Sequence, residues 1–147
     1  MAHKTVLEQL RRRPKSDEYE LIRTEWKTHS IAEDKRDIAG LMSTLTDDCV
    51  YELPQTGDVW RGKAGATQFY EELLGAFPDI DFDLQNIVIG PQGVFEEAHA
   101  TGTHQGTWLK HPPSNNKIEF DVTIFFPWDP EKTKFKGERI YYFGLPE

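Results

Sequence analysis

The chain has 147 residues, with 17 Lys and Arg against 25 Asp and Glu, which gives a formal net charge of −8. This length suffices for one domain with its own core, and the single cysteine, Cys49, excludes an internal disulfide and suits a reducing compartment. The acidic balance disfavours nucleic-acid binding, because the dense basic patch is confined to Arg11–Arg13. No apolar run approaches the ~20 residues of a membrane span, and we expect no membrane association, no secretory signal and a cytoplasmic location.

The first predicted elements are an N-terminal arm over residues 1–16 and a helix that opens a single domain over residues 17–147. Ser16 is the predicted N-cap of this helix, because acidic residues follow it in the first turn, where the helix dipole favours negative charge. Trp26 and His29 lie on one apolar face of the helix. That face either lines a pocket or is the seam by which the helix packs.

Two shorter helices and one short strand follow. Their predicted bounds are 38–45 for the second helix, 49–53 for the strand and 63–77 for the third helix, and a polar turn after Pro54 leads into residues 59–62. The sequence Thr46–Asp48 is expected to end the second helix, and Pro78 to end the third. Cys49 is interpreted as a buried structural thiol, because the two preceding aspartates disfavour a reactive thiolate.

The rest of the chain is predicted to be β-strand, in a four-stranded antiparallel meander. Its strands lie within 80–89, 98–108, 118–126 and 135–143. The alternation of apolar residues slips by one at Gln85–Asn86, which predicts a bulge that bends the sheet. The order of elements indicates an α+β fold with helices on one face of a bent sheet. Such a sheet leaves a cavity at its open end, the usual place for a small-molecule site.

The two central strands form a hairpin whose faces differ in character. On its second strand apolar residues alternate with Glu119, Asp121 and Thr123, so one face is apolar and the other carries carboxylates. On its first strand Ala and Gly share a face with His104 and Trp108. These small residues either leave room for a ligand or let a helix or a partner subunit approach closely.

Four segments match one family pattern in order and spacing. They are DDCVYELP, WRGKAGATQFYEELLGAFPDIDFD, ATGTHQGTWLKHPPSNNKIEF and a closing strand that begins KGERI. The chain thereby resembles the SnoaL-like polyketide cyclase branch of the nuclear-transport-factor-2-like (NTF2-like) superfamily over residues 17–143. The resemblance implies a cystatin-like cone: three helices of the N-terminal half on a strongly curved, mostly antiparallel sheet, with a central pocket. It also implies a homodimer formed through the outer face of the sheet.

The resemblance further implies a function. Cyclases of this kind close a polyketide ring by aldol condensation without a cofactor, and a carboxylate acts as acid and base in an apolar cavity. The catalytic Asp of the family falls either at Asp121 or at Thr123, and the second alignment leaves no base. His104 matches the motif histidine and would hold or protonate a carbonyl, and Glu138 matches a Glu on the closing strand of many relatives. The expected substrate-binding residues are Trp26, His29, Tyr51, Trp60, Trp108, Thr123 and Tyr142.

Three functional hypotheses follow from these observations. The first is a cofactor-free cyclase, isomerase or lyase acting on a small, mostly apolar carbonyl compound, with Asp121 directed into the cavity beside His104. The second is a non-catalytic ligand-binding or dimerisation module of the same fold. The third, an epoxide-hydrolase-like use of the pocket, would need an Arg between two Asp residues, and we expect no Arg inside. No metal site is predicted, because His104, His111 and Asp121 lack the spacing of a metal-binding motif.

Overall fold

The computed structural model describes residues 4–145, so residues 1–3 of the predicted arm and 146–147 of the predicted domain lie outside it. The elements run in the order α1 (Lys4–Arg11), α2 (Ser16–Asp34), α3 (Ile38–Met42), β1 (Leu45–Leu53), β2 (Asp58–Arg61), α4 (Gly62–Ala76), β3 (Asp81–Gly90), β4 (Gly93–Thr103), β5 (Lys117–Asp129) and β6 (Lys134–Phe143). The three helices predicted for the N-terminal half are α2, α3 and α4, and α1 lies within the predicted arm. None of the helices in residues 4–145 has the length and apolar character needed to span a bilayer.

The strands form one curved sheet in the order β2-β1-β6-β5-β4-β3. Strands β3 to β6 are the predicted antiparallel meander, while β1 lies parallel to β6 and pairs antiparallel with β2 at the edge. Helix α4 packs on β1 and β2, and α2 packs on α3 and β3. The register between β3 and β4 shifts between Leu84 and Asn86, where the sequence predicts the bulge. The α+β class and the curved, mostly antiparallel sheet are therefore confirmed.

Strands β4, β5 and β6 of the meander each have buried residues on one face and exposed residues on the other, whereas every residue of β3 is exposed or half-buried. On β5 the residues Phe120, Val122, Ile124 and Phe126 are buried, whereas Glu119 and Asp121 are exposed. This matches the alternation in the sequence, because successive side chains of a strand point to opposite faces. The apolar face of the hairpin therefore packs against the helices, and its carboxylate face forms the outside of the sheet.

Several element boundaries differ from the predictions. Helix α3 ends at Met42 rather than near residue 45, because Leu45 already pairs with Phe135 and so begins β1. Ser16 is the first helical residue rather than the N-cap; Lys15 holds that position without a side-chain cap. The helix of the arm is fixed to the domain by Arg12, whose guanidinium donates to Glu18 at 2.7 Å and to the carbonyl of Pro91 at 2.5 Å.

Strand β4 ends at Thr103, five residues before the predicted end of the first hairpin strand. The chain then leaves the sheet and crosses the end of α4, where the N–H groups of Gln105 and Gly106 both donate to the carbonyl of Ala76. A Cβ at Gly106 would collide with the carbonyl of Gly75. The small residue at this position therefore lets a helix approach closely and does not leave room for a ligand.

A bulge in β6 decides which of its residues face the core. Between the pairs Phe125–Arg139 and Trp128–Phe135, β6 has one residue more than β5. Gly137 lies in this bulge with a φ of +116°, and a Cβ there would collide with the carbonyl of Val50. Phe135 and Glu138 consequently both face the core although they are three residues apart. Without the extra residue Glu138 would lie on the outer face.

Candidate functional site

A hydrogen-bonded group of five side chains lies in the core behind the sheet, and we call it the polar cluster: His29, Thr44, Tyr51, Tyr70 and Glu138. They come from α2, the α3–β1 connection, β1, α4 and β6, and all five are buried. The Tyr70 hydroxyl donates to Oε2 of Glu138 at 2.7 Å, and the Tyr51 hydroxyl lies 2.8 Å from that of Tyr70. Because Tyr70 gives its only proton to Glu138, Tyr51 donates to Tyr70.

The hydrogen bonds of His29 show where its protons lie. Thr44 donates its hydroxyl proton to the carbonyl of Leu41 at 2.7 Å, so its oxygen accepts from Nδ1 of His29 at 2.9 Å. The other ring nitrogen, Nε2, lies 3.0 Å from Oε2 of Glu138. One proton must lie between these two atoms, since a bare nitrogen would repel a carboxylate oxygen. Burial lowers the pKa of His29, but the hydrogen bond and charge of Glu138 outweigh it and leave the pKa raised.

A small cavity of about 40 Å³ adjoins the polar cluster. Its walls are mainly apolar, and the aromatic members are Phe69, Phe77, Phe82, Trp108, Phe120 and Tyr142. Its carboxyl-bearing members are Glu33 and Glu138, and no Lys or Arg of the described chain lines it. A space of this size holds on the order of one to three water molecules. A ligand of more than a few heavy atoms therefore enters only if the walls move apart.

Two further carboxyl groups belong to the inner side of the fold. Glu33 follows His29 by one helical turn on α2, and Glu96 lies on the inner face of β4 beside buried Val94 and Ala98. Burial, together with the negative charge of Glu138, raises the pKa of Glu33 to about 8 and that of Glu96 to about 8. The Glu33 carboxyl forms no hydrogen bond or ion pair with another residue of the described chain. Near neutral pH it is therefore a carboxylic acid on the cavity wall that has a proton to donate.

The structure places Asp121 on the outer face of the sheet, where its side chain is 70% exposed and accepts from Nδ1 of His99 at 2.9 Å. Thr123 lies on the same outer face, because it is two residues further along β5. The expectation that Asp121 points into the cavity is corrected by this placement. The alternation of β5 assigns Phe120, Val122 and Ile124 to the inside and so leaves both candidate positions of the family Asp outside.

His104 is not brought together with Asp121. It lies just beyond the end of β4, with its ring centroid 5.2 Å from that of Phe77, and its Nε2 has no hydrogen-bond partner in residues 4–145. The backbone N–H of His104 donates to the carbonyl of Asn116, which holds the residue at the base of the loop over 104–116. His104 is therefore neighbour to a cavity-lining ring rather than part of the wall.

Apart from Thr123 on the outer face, the predicted substrate-binding residues lie in four places. Trp108 and Tyr142 line the cavity, and His29 and Tyr51 belong to the polar cluster behind it. Trp26 packs on the core from α2 without lining the cavity, and Trp60 lines a separate open groove on the surface. The residues that sequence reasoning left out are Glu33, Thr44, Tyr70 and Glu96. A signal existed for Glu33, because it stands four residues after His29 and seven after Trp26 on one helix face.

Neither a reactive thiol nor a metal centre is part of this region. Cys49 is fully buried, and burial raises the pKa of its thiol to about 11, so it is uncharged at neutral pH. Among the described residues no three His, Cys, Asp or Glu side chains are grouped so that they could hold a metal ion. In the described residues of this region the polar groups are carboxyl groups, one imidazole, phenols, the Thr44 hydroxyl and the indole N–H of Trp108.

Three solved structures share this fold at low sequence identity. One described as a SnoaL-like polyketide cyclase from Jannaschia sp. CCS1 has a TM-score of 0.72 and 19% identity, covering 89% of each chain. An NTF2-like protein from Burkholderia xenovorans LB400 has a TM-score of 0.66 and 20% identity, covering 86% of this chain and 92% of that chain. An LEH-like epoxide hydrolase from M. tuberculosis has a TM-score of 0.64 and 18% identity, covering 88% of this chain and 86% of that chain. At these identities the likeness shows the fold alone.

The family is identified from the sequence rather than from the fold. No curated protein matches the chain significantly. The family model of SnoaL-like polyketide cyclases, however, matches residues 24–137, a span that runs from α2 into β6 and includes every member of the polar cluster except Glu138. Because this match covers most of the chain and the NTF2-like fold agrees with it, the protein belongs to the SnoaL-like polyketide cyclase family.

Proposed function

We propose that this protein binds a small, mostly apolar carbonyl compound in the cavity beside the polar cluster and acts on it by acid–base chemistry without a cofactor. The observation that carries the proposal is a carboxylic acid, Glu33, and a carboxyl paired with imidazole, Glu138, on one apolar cavity wall. Desolvation keeps the first protonated near pH 7, and the second is oriented by His29 and Tyr70. Such a pair supplies an acid and a base in one water-poor space.

The proposed step removes one proton from the carbon next to a carbonyl group and adds one proton to the carbonyl oxygen. Glu138 has one oxygen, Oε2, committed to Tyr70 and His29, and this leaves Oε1 to take a proton from the carbon next to the carbonyl. Glu33 gives its proton to the carbonyl oxygen as the enolate forms. The resulting enol attacks a second carbonyl in a cyclisation or takes a proton back at another carbon in an isomerisation. Each carboxyl then recovers its starting form.

The structural relatives do not choose between these reactions, because one is described as a polyketide cyclase and another as an epoxide hydrolase. An epoxide hydrolase-like use of this cavity is disfavoured, since no Arg of the described chain lines it. A non-catalytic binding module is the second candidate. The small open volume of about 40 Å³ favours it, because it leaves little space for a polyketide without movement of the walls.

We also propose that a second copy of the chain covers the outer face of the sheet. Large apolar side chains are exposed on this face, among them Val88, Phe95 and Phe143, and Phe95 stacks on Phe125 with ring centroids 4.8 Å apart. Exposed apolar patches of this kind are typical of interfaces. The test is sedimentation analysis of the wild type and of Phe95→Ser. A dimer that weakens in the variant supports the proposal, and a monomeric wild type at high concentration contradicts it.

Enolisation of a simple ketone tests the proposed chemistry without knowledge of the natural substrate. Cyclopentanone is incubated with the protein in D2O, and exchange of its α-hydrogens is followed by proton NMR. We expect exchange faster than in buffer, abolished by Glu138→Gln and decreasing as the pH rises through about 8, where Glu33 loses its proton.

Asp121→Asn is the matched control for this assay, since its carboxylate lies on the outer face, and it is expected to retain the exchange. Binding without exchange would identify the non-catalytic module. Equal loss of exchange in Asp121→Asn and Glu138→Gln would contradict the assignment of the site to the inner face.

A further inference from the structure

The cavity contains more acidic groups than its surroundings can neutralise. Glu33 and Glu138 line it, and Glu96 lies close enough for the charge of Glu138 to raise its pKa. The only buried basic side chain in the described part is His29, and it is paired with Glu138. Arg36, which follows the end of α2, instead donates to the carbonyls of Pro78 and Ile80. The carboxyl groups of the interior therefore outnumber its basic groups, and a bound ligand with one positive charge could pair with them.

The walls of the same cavity suit a cation. Rings from α4, the loop over 104–116 and three strands surround it, among them Phe69, Trp108 and Phe120. The face of an aromatic ring carries negative electrostatic potential, and cations that lie over it are attracted most strongly where water is excluded. An anion in this cavity would meet both the ring faces and the carboxyl groups, and each would repel it.

A second observation is independent of the acidic groups. Trp108 lines the cavity and is only 6% exposed, yet its indole N–H has no acceptor in the described chain. A buried donor without a partner is costly, and a bound ligand with an acceptor oxygen would satisfy it. The cavity thus offers one donor for a carbonyl oxygen and two carboxyl groups for a positive charge.

We propose that the natural ligand is an amino-carbonyl compound: a small, mostly apolar molecule with a basic nitrogen held as an ammonium ion between Glu33 and Glu138, and a carbonyl oxygen that accepts from Trp108. This inference rests on the proposed function and narrows its ligand class. With such a ligand Glu33 is a carboxylate that holds the ammonium group, and Glu138 remains the base. The indole N–H of Trp108, rather than Glu33, then stabilises the carbonyl oxygen as the enolate forms. Ammonium and carboxylate attract each other strongly in a site shielded from water, whereas a neutral ketone gains only hydrogen bonds.

Binding of an ammonium ion is expected to expel a proton. The titratable groups that interact with Glu33 are His29 and Asp34 on its own helix, Glu96 on β4, Glu138 on β6, Tyr51 on β1 and Tyr70 on α4. Glu33 and Glu96 are both carboxylic acids near neutral pH, and a neighbouring cation lowers the pKa of each. At pH 7 the protein should therefore release up to about one proton for each amine bound.

The experiment compares three probes of equal ring size: cyclopentylamine, cyclopentanone and cyclopentanecarboxylate. Their affinities for the full chain at pH 7 are measured by NMR titration, and proton release by calorimetry in two buffers of different ionisation enthalpy. We expect the amine to bind about tenfold or more tightly than the ketone, with proton release, and the carboxylate not to bind. The preference for the amine should fall in Glu33→Gln and persist in Glu20→Gln, which makes the same change on the exposed face of the same helix.

The outcomes separate this inference from the function on which it rests. Binding of the ketone as tightly as the amine, or amine binding without proton release, overturns the amino-carbonyl inference and leaves the proposed function standing. Absence of binding by both amine and ketone to a folded wild-type protein overturns the two together. The proton-release measurement uses the wild type alone, so a Glu33→Gln variant that fails to fold does not weaken the test.

Discussion

The two faces of the sheet carry the same chemical pair in opposite environments. On the inner face His29 and Glu138 lie 3.0 Å apart with each side chain 3% exposed. On the outer face His99 and Asp121 lie 2.9 Å apart with side chains 38% and 70% exposed. Water screens the outer pair, whereas the inner pair depends on its hydrogen bonds for stability. A histidine–carboxylate pair thus indicates a candidate site only when its burial is known.

The largest expected difference between the two pairs is in stability. Glu138→Ala leaves the buried Tyr70 hydroxyl and the His29 ring without their acceptor, and should lower the free energy of unfolding by about 3–5 kcal/mol. Asp121→Ala should leave it unchanged within error, because both partners of the outer pair reach water. Urea unfolding of the two variants measures this difference, and equal losses would contradict the distinction between the faces.

A smaller effect is expected at the bulge that directs Glu138 inward. Gly137→Ala puts a Cβ against the carbonyl of Val50 at a φ of +116°, and should cost about 1–3 kcal/mol of unfolding free energy. Gly90→Ala is the matched control, because a Cβ there meets nothing within 4 Å. Thermal unfolding of both variants is the measurement. An unchanged stability of Gly137→Ala would show that β6 forms the bulge that turns Glu138 inward without a glycine.

The pH dependence of stability gives a third difference. The pKa of Glu33 is about 8 in the folded protein and close to its ordinary value of 4.5 in the unfolded chain. The folded state therefore holds the extra proton, and stability is lost as the pH rises from about 4.5 through about 8. Glu33→Gln should remove part of this loss and gain about 1–2 kcal/mol over the wild type at pH 9. Denaturant unfolding of both proteins at pH 5 and pH 9 measures this difference. The same loss of stability between the two pH values in the wild type and in Glu33→Gln would contradict the prediction.

The smallest effect concerns the outer pair itself. Hydrogen bonding to Asp121 raises the pKa of His99, so the pair contributes most below the ordinary His pKa of 6.5 and loses that contribution as the pH rises through the folded value. Asp121→Asn should move the pKa of His99 down toward 6.5. NMR titration of the His99 ring measures this shift. An unchanged titration would mean that Glu119, 3.3 Å from Nε2, holds the charge instead.

Much of the fold was open to prediction because it depends on local alternation. The period of two in β5 assigns Phe120, Val122 and Ile124 to one side, and the slip at Gln85–Asn86 marks the bend of the sheet. The loop over 104–116 was less accessible, because its departure from β4 depends on contact with the end of α4. The sequence around residues 104–116 contains no local pattern that predicts this contact.

The site was harder to predict than the fold for two physical reasons. Which face of β6 is inside depends on the bulge at Gly137, and the sequence signals such a bulge only by a glycine within a strand. The polar cluster also joins residues up to 109 positions apart, from His29 to Glu138, through hydrogen bonds that periodicity does not reveal. Asp121 was favoured by the family pattern, although the alternation of β5 had already put the two carboxylates on the non-apolar face.

The bonds from Gln105 and Gly106 to the carbonyl of Ala76 have a mechanical consequence. They join the loop that carries Trp108 to the end of the helix that carries Phe69 and Leu73. We therefore expect these three wall residues to move together, away from the sheet, when the cavity enlarges, rather than by separate rotamer changes. Entry of a ligand would accordingly displace the whole of α4.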